Sequence, residues 1–179
     1  MTTIADFHLA ITTYLEAHFG DNVNTVLWYQ QGENPAGQPL PIMTPAVIIE
    51  IESADEGDDV GDDRAPLLCH ITAYCILGQQ TENLQLQVRE FAAQLFMRVR
   101  RNKWGLGSNV SFPGMITLGP GKFDPEKNGY DSWFVSWDQT LYLGDSVWDS
   151  TGIMPTEILW SEVPLIGIPN EDHYEALSK

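Results

Sequence analysis

Apolar residues at Ile4, Phe7, Ile11, Tyr14, Leu15 and Phe19 fall on one stripe of a 3.6-residue period, which predicts a helix over 4–19. Thr2 or Thr3 can cap it, Asp6 suits its first turn, and Gly20 stops it. A short strand is expected near Val23–Tyr29, and Gln31–Pro45, with four prolines, reads as a loop. Ala46–Glu52 and Leu67–Leu77 read as strands. In the second, Leu67, Cys69, Ile71, Ala73, Cys75 and Leu77 share the face that points at the core. Thr81 is the expected cap of a long amphipathic helix over Glu82–Asn102, roughly 30 Å in length. Its apolar face is Leu84, Val88, Phe91, Ala92, Leu95, Phe96 and Val99. Strands near Met115–Leu118 and over Trp133–Leu143 complete the set; Trp133, Val135, Trp137, Gln139, Leu141 and Leu143 share one face of the latter. The pattern is α+β: a mainly antiparallel sheet with both helices packed on it, spanning 1–144. Residues 145–179 show no sustained period and read as an irregular extension.

Composition narrows the function. The 179 residues hold 43% hydrophobic side chains, enough for a sizeable core, and a formal charge of −16 from 25 acids and 9 bases. That charge opposes binding to nucleic-acid phosphates or to an anionic membrane. No apolar run reaches the roughly 18–20 residues of a membrane span, and the N-terminus lacks the basic region of a secretory signal. Cys69 and Cys75, six residues apart on one strand, lie roughly 20 Å apart, so they cannot pair there and suit a reducing compartment.

The acids cluster. SADEGDDVGDDR, residues 53–64, carries Asp55, Glu56, Asp58, Asp59, Asp62 and Asp63 between two strands, at the tip of a long β-hairpin. It reads as a metal site, a partner-facing surface or a wet turn. The EF-hand pattern fails from Asp55 and from Asp59, because a glycine holds the third ligand position each time. A wet tip on a partner-facing surface is the preferred reading. Arg98, Arg100, Arg101 and Lys103 crowd the end of the long helix, where the dipole favours cations. They are a solvated helix end, a nucleic-acid contact, or the counterpart of the acidic loop of a neighbouring subunit. His8, His18, His70 and His173 form no zinc-ligand spacing. A nucleophile elbow and a phosphate loop are absent, and Gly105–Val110 lacks a dinucleotide fingerprint. Neither an enzyme nor a cofactor has support in these motifs. Trp133, Trp137, Trp148 and Trp160 could stack a ligand, although packing is the simpler role.

TPAVIIEIES at 44–53, ENLQLQVREFAAQLFMRVRRNKWG at 82–105 and WFVSWDQTLYLG at 133–144, in this order, resemble the tail terminator (tail-completion) proteins of tailed bacteriophages. The resemblance covers residues 1–144. It implies a structural protein without catalysis, assembled in the host cytoplasm into the virion tail. It further implies a six-fold ring that caps the head-proximal end of the tail tube and stops its polymerisation. The implied partners are other copies of the chain, the tube protein, the sheath of a contractile tail and the head or neck connector, with genomic DNA only passing through the lumen. Another tail or neck adaptor, or a small acidic calcium-binding module or enzyme, is the alternative.

Overall fold

A computed structural model describes residues 2–28, 42–121, 129–149, 159–160 and 175–176. Two compact units are present, Met1–Ser146 and Val147–Lys179. In the first, helix α1 spans Ile4–Phe19. Thr3 is its cap: its hydroxyl accepts from the Asp6 amide while the Asp6 carboxylate accepts from the Thr3 amide, a closed capping box. Gly20, at φ 52°, ends it. Phe7, Ile11, Leu15 and Phe19 are buried, whereas Ile4 at the edge of the stripe is 43% exposed.

Five strands form one sheet: β1 (Thr25–Trp28), β2 (Ala46–Glu56), β3 (Ala65–Gly78), β4 (Gly114–Pro120) and β5 (Tyr130–Leu143), in the order β1-β2-β3-β5-β4. The β1–β2 pair is parallel; the other three are antiparallel. The architecture is therefore α+β with a mainly antiparallel sheet. Helix α2 (Leu84–Val99) packs on β3, β4 and β5, and α1 packs beside β1. One core lies between the helices and one sheet face. It holds the expected Cys69, Ile71, Ala73, Cys75 and Leu77 of β3 and Val88, Phe91, Ala92, Leu95 and Val99 of α2. Burial pushes the Cys69 thiol up to about 11, so it packs as an apolar group. A smaller cluster of Ala46, Ile48, Tyr74 and Ile76 occupies the opposite face.

Several boundaries depart from expectation, β3 for one starting at Ala65. Strand β2 runs four residues further, to Glu56, because a bulge between Ile51 and Ser53 absorbs Glu52 and restores pairing with His70. Helix α2 is capped by Asn83, in the left-handed region at φ 52°, and not by Thr81. It stops at Val99: Arg100 turns to ψ 121° and Arg101 takes φ 59°. Arg100, Arg101 and Lys103 thus lie beyond the helix instead of in its last turn. Strand β5 begins at Tyr130, three residues early.

The loop expected over 31–45 lies mostly outside the described residues. In the second unit, Val147–Asp149 form a short 3-10 turn, and Leu159–Trp160 (β6) pair antiparallel with Glu175–Ala176 (β7).

Candidate partner-facing surface

The hairpin tip is built outward from the bulge. Asp55 and Glu56 still belong to β2, and the Gly57 amide donates to the Pro66 carbonyl at 3.0 Å. A side chain at Gly57 would meet Pro66 and Thr140 at 3.2 Å, which explains the glycine at the point where the arms close. The Asp59 carboxylate then accepts from the Gly61 amide at 2.7 Å, a local turn around Gly61 at φ 69°.

Asp62 overturns part of the wet-tip expectation. It is buried, and so is Arg64, the lone base of the acidic stretch. Arg64 donates to the Asp62 carboxylate from Nε at 2.9 Å and from Nη2 at 2.6 Å. Its Nη1 donates to the Ser108 carbonyl at 3.0 Å and to Asn109 Oδ1 at 3.1 Å, and its guanidinium lies 4.9 Å over the Tyr142 ring. The Asp62 carboxylate also accepts from the Ser146 hydroxyl at 3.4 Å. The hydrogen bond from Arg64 is the main cause holding the Asp62 carboxyl below its ordinary pKa. The tip is therefore pinned to the 107–109 turn, with Asp58, Asp59 and Asp63 left exposed around the pin.

A second polar cluster lies behind the tip, on the sheet face away from the helices. His70 on the central strand faces Asp138 of β5 through Nδ1 at 2.6 Å and Asp55 of β2 through Nε2 at 3.1 Å. Both carboxylates favour the imidazolium, Asp138 more strongly, and raise its pKa. A neutral ring has one N–H and can satisfy only one of them. With both nitrogens engaged from opposite sides, the ring is neither a free base nor a metal ligand. No set of three or more His, Cys, Asp or Glu side chains among the described residues is arranged to hold a metal ion.

The basic residues divide. Arg98 is used within the chain: Nη2 donates to the His18 carbonyl at 3.1 Å, and the guanidinium sits 5.0 Å over Phe19. Lys103 lies 4.6 Å over the Phe112 ring. Arg100 and Arg101 are exposed. Of the ten residues proposed to face a partner, Asp62 and Arg98 hold the fold together, and Asp55 and Lys103 have neighbours of their own. Glu56, Asp58, Asp59, Asp63, Arg100 and Arg101 project outward. Among the described residues no ion pair joins the acidic set to the basic one within the chain.

No family model matches this chain, and no curated protein matches it.

Sequence reasoning missed three residues that organise this end of the sheet. Arg64 was signalled by being the only cation within an acidic run. His70 was weighed only as a metal ligand. Gln139 sits in the core-facing alternation of β5 and is fully buried. Its Oε1 accepts from the indoles of Trp104 at 2.8 Å and Trp137 at 3.3 Å, and its Nε2 donates to the carbonyls of Asn102 at 3.1 Å and Ser111 at 2.8 Å. Only this orientation of the amide satisfies two donors and two acceptors together. The aromatic residues of β5 follow: Trp137 is fully buried in the core, and Trp133 lies under the Arg89 guanidinium at 5.4 Å. Neither is a free stacking platform.

Proposed function

We propose that this chain is a structural protein of a phage-type tail, forming a ring on the head-proximal end of the tail tube. The ring ends tube polymerisation and offers the docking surface for the head or neck. One observation carries this reading: the stretches 44–53, 82–105 and 133–144 resemble tail terminator proteins in content and in order. The α+β sheet with two helices on one face is compatible with it. So is the chemistry of two buried polar groups that internal bonds consume, Gln139 by four of them and Asp62 by Arg64. Outward-facing carboxylates suit a surface past which a genome slides, because they repel phosphates.

Deletion of the gene tests the proposal. Tails should accumulate apart from filled heads, with tubes of variable or excessive length. Infectious particles of normal tail length from the deletion strain would refute it.

A further inference from the structure

At the end of the β2–β3 pair opposite the hairpin tip, the end of α1 and the first half of α2 leave a cleft of about 380 Å³ between them. Phe19 at the end of α1, Leu77 at the end of β3 and Phe91 of α2 form its apolar floor, and the two rings meet edge to face at 5.5 Å. On α2, Gln87, Glu90, Phe91 and Gln94 recur at i, i+3, i+4 and i+7, so one stripe of the helix lines the cleft. A volume of this size falls within the range of about 300–1,000 Å³ typical of ligand sites.

The rim is unlike the rest of the surface. In a chain with 25 acids it carries one, Glu90, and no Lys or Arg. Glu90 is also the only acid between Glu82 and Asp124, and it forms no ion pair among the described residues. The bases nearest to it on α2 are engaged: Arg89 lies over Trp133, and Arg98 donates to the His18 carbonyl. A lone carboxylate above an apolar floor selects a cation carried on an apolar body, and the net charge of −16 reinforces the choice. Asn22, Gln87 and Gln94 add amides, each with donors and an acceptor, which complement a peptide main chain. A second open hollow, of about 620 Å³, meets the cleft at Thr81 and is lined by Ile42, Thr44, Gln80 and Tyr130, again with no charged side chain. Two adjoining hollows suit an extended chain better than a compact molecule.

We propose that this end of the sheet binds an extended peptide segment of another protein, which seats an aromatic or branched apolar residue on Phe19, Leu77 and Phe91 and sets a neighbouring Lys or Arg against Glu90. One copy of the chain holds every residue of the site, so it goes beyond the ring reading and stands without it.

Methyl-detected NMR of the full chain, titrated with acetyl-Ser-Phe-Lys-Ser amide, tests this. The Val23 and Leu77 methyls of the cleft and the Ile42 methyl of the second hollow should shift together and saturate. The same peptide with Glu in place of Lys should bind about threefold or more weakly, as expected for an exposed ion pair, and Glu90→Gln should erase that preference. Gln87→Trp, a change at an exposed rim position, should weaken binding of the Lys peptide about tenfold or more. Phenylethylamine, an apolar cation without a main chain, should bind more weakly and leave Ile42 unmoved. Absence of a saturable shift with the Lys peptide would overturn the proposal. Equal binding of the two peptides by wild type would overturn the role of Glu90 and with it the stated chemistry of the partner. Undiminished binding to Gln87→Trp would place the peptide elsewhere and overturn the site. Phenylethylamine binding as tightly as the Lys peptide would assign the cleft to small amines and overturn the peptide occupant.

Discussion

Gln139 and Asp62 are both buried polar side chains at the same end of the sheet, and they solve the same problem in opposite ways. Gln139 is neutral and carries two donors and two acceptors. It therefore fastens the chain after α2, the Ser111 segment and the Trp104 indole to β5, and satisfies the Trp137 indole of β5 itself, without any counter-charge. Asp62 is acceptor-only and charged, so its burial requires Arg64, which also reaches the 107–109 turn and so fixes the tip. The lesson is one of conditions: the amide clamp is indifferent to pH, whereas the ion-pair clamp holds only while Asp62 is ionised.

The largest effect should come from the amide. Gln139→Leu keeps the volume but strands two indole N–H groups and two carbonyls, and should cost about 4 kcal/mol. Leu95→Ala, a void in the same core, sets the scale at about 3 kcal/mol. Denaturant unfolding of both variants measures this. A Gln139→Leu cost under about 0.5 kcal/mol, typical of a surface change, would mean the clamp is not a clamp.

Asp62 should give a smaller effect that depends on pH. Its folded pKa lies below the ordinary 3.8, so its stabilising contribution is present above that value and fades as pH falls through the folded value. The stability difference between wild type and Asp62→Asn should accordingly shrink to nothing in acid, while the Gln139→Leu difference stays constant. A Asp62→Asn difference that does not change between pH 6 and pH 2 would break the contrast.

His70 should give the smallest effect, of the opposite sign in pH. Its folded pKa lies above the ordinary 6.5. Its contribution is therefore full below 6.5 and is lost as pH rises through the folded value. Because the Asp55 side chain is 71% exposed, solvent screens that half of the cluster, and Asp138 should dominate. A carbon-detected NMR titration of the imidazole should show a larger downward shift in Asp138→Asn than in Asp55→Asn. Equal shifts, or a wild-type ring that titrates below 6.5, would contradict the geometry.

Much of the fold was legible because periodicity survives without tertiary knowledge: the stripes of α1 and α2 and the core face of β3 are carried by spacing alone. The end of β2 was not legible. Acids have low strand propensity, and the bulge at Glu52 shifts the alternation by one. Nor was the stop of α2, since Arg100 and Arg101 are good helix formers and the break comes from backbone angles beside the buried Trp104. Asp62 was illegible because its surroundings come from far away: Arg64 reaches residues 44 and 45 positions on, and Ser146 lies 84 positions from Asp62.

The ring on the tail tube is the central claim, and cryo-electron microscopy of tail particles made with and without this protein tests it most directly. With the protein present, the head-proximal end of each tube should carry a six-fold ring into which the 1–146 unit fits, and that density should vanish with the protein. Tubes whose head-proximal ends are identical in both preparations, or a ring found only at the opposite end, would contradict the account.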